Sequence, residues 1–250
     1  MTKHQQEKNK NLNLNQLGNR WLELKKQRMQ NLLKIALPDE ALYREIMLSL
    51  GYPNNKVNFL ELALITPYAD IRKLKERQII EKALLYRAGF TDDKEGLSED
   101  FDFSLKIDKS VWNYKGIRPA NFPEKRIKGI SILLSQTIEK GIVNFFLERI
   151  KAEINNRDPK DAVKKIMNFG GIGLQRKVEM FFNIIMPFFM VYSDGDEIIN
   201  FLNFIFQKHP PLSENKLIKS FKLNHPDIKI ENFRTYMGAI LLQKKELFND

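Results

Sequence analysis

Positive and amide side chains crowd around a two-proline turn in the middle of the chain. Residues 117–134 read IRPANFPEKRIKGISILL, and Pro123 suits the first turn of a helix, where its missing N–H would have no partner. A helix N-terminus favours anions through its free N–H groups and its dipole. The nearby side chains that could bind phosphate are Arg118, Asn121, Lys125 and Arg126. A second interpretation stays open, in which Arg118 and Asn121 only satisfy backbone groups of a buried turn. We expect Arg118, which lies between the loop and Pro119, to be structural, and Arg126, which lies on the helix itself, to be exposed.

A glycine-rich turn, GGIG at residues 170–173, is followed by Gln175, Arg176 and Lys177. It looks superficially like a phosphate cradle. It lacks the preceding strand and the Gly-Lys-Ser/Thr ending of a nucleotide-binding loop, and its spacing does not fit GxGxxG. Glycine also lets two helices approach closely, because it has no side chain. We therefore interpret this turn as a packing device.

The acidic segment 92–102 partly follows the calcium-loop pattern. Asp93, Glu95 and Asp102 fall at ligand positions of that pattern. However, Thr91 stands where the first aspartate belongs, and Asp102 replaces the bidentate glutamate. The pattern therefore predicts a long acidic loop rather than a calcium site.

Composition excludes several kinds of site. The chain has no cysteine, so disulfides, thiolate metal sites, iron–sulfur clusters and cysteine nucleophiles are excluded. The histidines His4, His209 and His225 have no metal-ligand spacing to one another. The Met- and Phe-rich segment 180–206 is typical of a packed core. We expect no metal and no cofactor.

Positive charge is concentrated at the start of the sequence. Residues 1–35 contain eight Lys or Arg and two Glu, which gives +6 of the chain's formal charge of +10. Such a segment could bind nucleic acid or an acidic protein partner, or it could be a solvated part of a lysine-rich chain. The candidate contacts on its predicted helix are Lys25, Lys26 and Arg28.

The hydrophobic pattern predicts an all-α fold. Residues 1–14 are polar and predict a disordered basic tail. From Gln16 onward, apolar residues recur at helical spacing between Gly and Pro breaks, without strand–helix alternation. We predict one irregular multi-helix domain of about ten helices over residues 15–250, interrupted by an irregular loop at 91–121.

No predicted segment suits a bilayer. The longest apolar run, Met180–Tyr192, is interrupted by Asn183 and Pro187 and falls short of the ~20 apolar residues that span a membrane. We expect Asn183 and Pro187 to lie in the core. The N-terminus shows no apolar signal-peptide core. We predict a cytoplasmic protein with no membrane partner.

Five phrases in chain order carry a resemblance to a known family. They are LGNRWLELK, EALYREIMLSLGYPNN, ALLYRAGF, RPANFPEKRI and VEMFFNIIMPFF. From about Leu17 to the C-terminus the chain resembles the C-terminal helical half of a bacterial domain-of-unknown-function family, number twenty-eight fifty-one. Family members also carry a preceding β-rich half with phrases like those of restriction-type nucleases. The resemblance implies that this chain begins where that half ends, so no nuclease chemistry is carried over.

Two functional interpretations follow. The first is a non-catalytic helical module that binds a partner protein or nucleic acid, as the companion of a separate nuclease-like subunit. The second is an enzyme, or an enzyme subunit, that acts on an anionic phosphate-bearing substrate through Arg118, Asn121 and Arg126. No catalytic residue is predicted.

Overall fold

In the computed structural model, which describes residues 3–248, every regular element is helical, and this confirms the all-α prediction. The α-helices are α1 Lys3–Leu33, α2 Pro38–Leu50, α3 Lys56–Ile65, α4 Tyr68–Lys73, α5 Arg77–Arg87, α6 Pro123–Thr137, α7 Ile142–Ala152, α8 Pro159–Ile166, α9 Leu174–Met180, α10 Met186–Tyr192, α11 Asp196–Lys208, α12 Lys216–Asn224 and α13 Phe233–Phe248. Short 3-10 turns span Lys109–Val111 and Pro119–Asn121, and a π-helical turn spans Phe181–Ile185.

Proline and glycine mark several helix ends where the sequence predicts them. Helix α6 begins at Pro123, and α8 begins at Pro159. Helix α2 begins at Pro38 and is capped by Gly51, whose N–H donates to carbonyls of the last turn. The prolines act through their fixed φ angles, so these helix starts can be read from the sequence. Gly51 has φ −75°, and glycine is needed there for space, because a Cβ atom would clash with the Asn55 carbonyl oxygen.

The first helix differs from its prediction. Helix α1 begins at Lys3, so residues 3–14, expected to belong to a disordered tail, are helical; residues 1 and 2 lie outside the described residues. Part of the reason is packing, because Leu14 is fully buried. A polar composition favours disorder only where no apolar side chain finds a partner.

The described chain packs as two compact units, where the sequence predicts one domain over 15–250. Among the described residues, the first unit contains 3–31, 153–165 and 186–248, and the second contains Leu32–Ala152 and Ile166–Ile185.

The first unit is held together by a close crossing of α1 and α13. A Cβ atom added to Gly18 would clash with the backbone of Arg234, and one added to Gly238 would clash with the backbone of Leu14. Trp21 packs beside this crossing, with its ring centroid 5.6 Å from that of Phe233. Glycine at both points lets the two helix backbones touch, which brings their apolar faces together.

The second unit packs mainly through contacts of α2 with α3 and of α5 with α6. The apolar stripe of α6 predicted from its spacing is fully buried. The residues of that stripe are Ile127, Ile130, Leu133 and Leu134. Burying a side chain of this size stabilises the fold by about 1.5–3 kcal/mol, so the stripe determines which way α6 faces.

The irregular segment 91–121 is attached to the second unit by aromatic and amide side chains. Trp112 is buried between Phe59 and Phe90, and its Nε1 donates to the carbonyl of Ala88 at 2.8 Å. Asn55 exchanges two hydrogen bonds with the backbone of Asn113, at 2.8 and 2.7 Å. The segment is therefore irregular in backbone but fixed in place.

The apolar run that starts at Met180 is helical, because α9 continues through the π-helical turn into α10. Pro187 is buried, as predicted, whereas Asn183 is only half-buried and donates from Nδ2 to the carbonyl of Glu179 at 2.9 Å. Asn183 therefore pairs with its own helix rather than with a buried network.

Among the described helices, none is on its own both long and apolar enough to cross a membrane, and only α6 and α7 together reach that length and composition, as a pair bent by 79°.

Candidate functional site: a cationic depression

The structure joins two motifs that the sequence presents separately. Residues of the two-proline turn and of the glycine turn line one concavity of about 450 Å³ in the second unit. We call it the cationic depression. Its lining consists of Leu50, Ala120, Asn121, Lys125, Arg126, Gly171, Ile172, Gly173, Leu174, Gln175, Arg176 and Glu179.

A glycine–glycine contact brings the two motifs together. Gly171 has φ +78°, and a Cβ atom added there would lie 2.6 Å from the Cα atom of Gly129 on α6. A Cβ added to Gly129 would in turn clash with the Gly171 carbonyl. This geometry confirms the interpretation of the turn as a packing device. The same contact also places the turn beside the cationic end of α6.

Arg126 is a structural anchor inside the depression. Its Nη1 donates to the carbonyl of Tyr52 at 2.6 Å and also to the carbonyl of Leu50. These carbonyls lie at the C-terminal end of α2, where the helix dipole is negative and the last carbonyls lack helical partners. The expectation that Arg126 is exposed is therefore wrong, because α2 ends against α6 at this point.

Arg126 lies close to a second guanidinium. Burial, and then the charge of Arg176, lower the pKa of Arg126 to about 10, while Glu179 opposes the shift. Arg176 pairs with Glu179 at 2.9 Å, one helical turn along α9. One carboxylate therefore faces two guanidinium groups, which leaves an excess of positive charge.

Lys125 and Asn121 complete the polar lining. Both are exposed, and within the described part of the chain neither side chain makes a hydrogen bond or an ion pair. With Lys125, the lining contains three positively charged side chains and one negatively charged side chain. These two side chains are therefore available to a ligand.

The glycine turn, which lines the depression, has backbone N–H groups without a protein acceptor in the part of the chain that the structure describes. In the described structure, no protein acceptor is bound by the backbone N–H groups of residues 171–175. A run of backbone N–H groups around a residue with positive φ can form a small anion-binding concavity. Lys177 does not contribute, because its Nζ donates to the carbonyl of Phe169 instead.

Arg118 lies outside the depression. It precedes the 3-10 turn Pro119–Asn121, is exposed, and has no side-chain partner in the described structure. The expectation that Arg118 fixes the turn is wrong, because the turn is closed by its own backbone, with Asn121 N–H donating to the Arg118 carbonyl at 2.8 Å. Arg118 remains a free cation beside the turn.

The predicted cations of α1 lie in the first unit and are engaged with neighbours. Lys26 pairs with Glu23 at 2.9 Å, and Lys25 lies 5.6 Å from the centre of the Trp21 ring. Arg28 is exposed and also has an interaction partner. The structure therefore does not bring these three cations together with the residues of the two-proline turn in one lining.

Acidic side chains of the segment 92–102 pair with lysines or accept hydrogen bonds from backbone N–H groups. Asp93 pairs with Lys82 at 2.8 Å, Asp92 pairs with Lys106, and the Asp102 carboxylate accepts from the N–H of Ser104. Among the described residues, no three His, Asp or Glu side chains are grouped as metal ligands.

Sequence reasoning missed two features. Glu179 was not singled out, although its i,i+3 spacing from Arg176 on a helix is a signal for an ion pair. A second concavity of about 600 Å³ lies in the first unit between α1, α11 and α13. Its polar lining residues are Asn19, Glu23, Asn200, Asn203, Gln207 and Arg234. No motif marks it, because its amides, one on α1 and three on α11, and the arginine on α13 match no known ligand-binding pattern.

Comparison with known proteins gives one match. The model of a family described as "Protein of unknown function (DUF2851)" matches residues 3–203. The match begins before Leu17 and ends at Asn203, whereas the phrases in the sequence predict a likeness from about Leu17 to the C-terminus. No curated protein and no solved structure matches the chain.

Proposed function

This chain belongs to that family of proteins of unknown function, and from this premise we propose that it is a non-catalytic helical module that binds the phosphate backbone of a nucleic acid. The observation that carries the proposal is the charge of the cationic depression. Lys125, Arg126 and Arg176 face it together, with Glu179 as the only acid in its lining.

The fixed position of Arg126 supports a binding role. A guanidinium already held by two backbone carbonyls loses little side-chain entropy when an anion arrives. Lys125 can then add a mobile ammonium, and residues 171–175 can add backbone donors. Phosphate oxygens accept from both kinds of donor.

The chemistry of the lining supports binding rather than catalysis. Among the described residues, those that line the depression include no histidine, serine or threonine, and the one carboxylate, Glu179, is paired with Arg176. A general base must be able to reach a substrate proton in an unpaired, basic form. An enzyme or enzyme subunit acting on a phosphate-bearing substrate, and a nuclease-like companion subunit, remain alternative predictions.

The decisive experiment measures binding of a fluorescently labelled DNA strand by anisotropy at several salt concentrations. We expect affinity to fall steeply with salt, because each phosphate contact releases counterions. Lys125→Gln should weaken binding and reduce the slope of log K against log salt by about one.

Two control variants make the result specific. Lys151→Gln removes the same charge from an exposed lysine of α7 that has no partner in the described structure, and it should bind like the wild type. Charge reversal of Lys25, Lys26 and Arg28 tests the cations of α1. Equal binding by wild type and Lys125→Gln would exclude the cationic depression as the site.

A further inference from the structure

The exposed ring of Tyr52 lies beside the cationic depression. Tyr52 follows α2 and is 52% exposed. Its carbonyl accepts from Arg126 at 2.6 Å. The backbone of Tyr52 is therefore fixed by a residue of the depression while its ring faces solvent.

Two cations flank this ring. The Lys56 Nζ lies 5.3 Å from the ring centre, and the Arg176 Cζ lies 5.4 Å from it. Arg176 also lines the depression, so it connects the ring with the proposed phosphate site. Lys56 is exposed and has no ion pair in the described structure, so a ligand can displace it at little cost.

Tyr52 differs from the other tyrosines of the chain. Its ring packs against no aromatic ring, and its hydroxyl makes no hydrogen bond, within residues 13–247. By contrast, the hydroxyls of Tyr43 and Tyr68 donate to backbone carbonyls at 2.9 Å, and the ring of Tyr192 stacks on Phe188. Neither aromatic packing nor a hydroxyl hydrogen bond therefore accounts for a tyrosine at position 52.

We propose that Tyr52 is a stacking platform for a base of single-stranded nucleic acid whose phosphate lies in the cationic depression. This inference rests on the proposed function and names its ligand more closely. Aromatic rings flanked by cations bind single strands because each unpaired base offers a face for stacking. In a duplex those faces are already covered by neighbouring bases, so a duplex cannot use Tyr52 in this way.

The test uses two strands with the same phosphates, a labelled oligothymidylate and an abasic strand of equal length. Tyr52→Ala should weaken binding of the thymidylate strand about 10-fold and leave the abasic strand unchanged. Tyr52→Phe should bind both strands like the wild type, because stacking needs the ring and not the hydroxyl. A duplex of the same length should be insensitive to Tyr52→Ala.

The outcomes separate this inference from the proposed function. If Lys125→Gln weakens binding of both strands while Tyr52→Ala weakens neither, the stacking platform is wrong and the phosphate site stands. If Tyr52→Ala weakens both strands equally, its effect does not come from a base, and the inference is again wrong. If the wild type binds neither strand, the proposed function itself fails. Thermal melts check the stability of the Tyr52 variants. If the variants are as stable as the wild type, a loss of affinity for the thymidylate strand alone is due to the missing ring.

Discussion

Replacing Arg126 by methionine separates its anchoring role from its binding role. Methionine keeps an unbranched apolar stem but lacks the guanidinium, so it loses the hydrogen bonds to the carbonyls of Leu50 and Tyr52. A hydrogen bond to a charged group contributes about 1.5–3 kcal/mol. Part of this loss is offset because the variant no longer buries a charge next to Arg176. We expect the free energy of unfolding to fall by about 2 kcal/mol.

The assay is thermal unfolding followed by circular dichroism, with and without inorganic phosphate. A loss of 2 kcal/mol should lower the melting temperature by about 4–8 °C in a chain of this size. Phosphate at ten times its dissociation constant should stabilise the wild type by about 1.4 kcal/mol. Arg126→Met should lose both the basal stability and most of this phosphate effect.

Lys125→Met is the matched control, because Lys125 is the neighbouring cation on α6 and is exposed without a partner in the described structure. It should melt like the wild type without phosphate and show a smaller shift with phosphate. An Arg126→Met variant with the melting temperature of the wild type would refute the anchoring role. A full phosphate effect in both variants would refute the anion site.

Two further predictions concern stability. Gly129→Ala should lower the free energy of unfolding, measured in urea, by about 1–3 kcal/mol, because its Cβ would clash with the Gly171 carbonyl. Gly173→Ala is the control. Its Cβ would lie in open space, so it should change the free energy of unfolding by less than about 0.5 kcal/mol. Burial lowers the pKa of His209. Below about pH 6.5 this histidine is therefore protonated to a greater extent in the unfolded chain than in the folded one. The melting temperature should for this reason fall as pH falls from 7.5 to 5. His209→Gln should show a smaller fall, and an equal fall would contradict this assignment.

The sequence predicts helix boundaries best where the backbone itself is constrained. Pro123 and Pro159 begin helices because their fixed φ angles act locally. The prediction fails for residues 3–14, whose helix is supported by a tertiary contact. Leu14 meets Gly238 from the far end of the chain, and no local pattern reports such a contact.

The candidate site could be predicted only in pieces. The two-proline turn indicates Asn121, Lys125 and Arg126, and Arg176 follows the glycine turn. Nothing in either motif indicates that these residues share one lining. Their meeting depends on a glycine in each motif, Gly129 and Gly171, at a contact that only the folded chain defines. For the same reason the sequence predicts Arg118 as the structural residue and Arg126 as the exposed one, whereas in the structure Arg126 is the anchor and Arg118 is exposed. Proximity to a proline does not reveal which guanidinium meets a helix C-terminus.

The anchoring of Arg126 and the proposed binding role depend on each other. Its hydrogen bonds to the end of α2 hold a guanidinium close to that of Arg176, and burial makes this charge costly, as the lowered pKa of Arg126 indicates. Glu179 compensates only part of the combined charge. An anion in the depression would therefore relieve repulsion that the fold already contains, and its binding would stabilise the contact between α2 and α6. For this reason we expect the residue that connects the two helices to be also the one that most favours the proposed phosphate between α6 and the glycine turn.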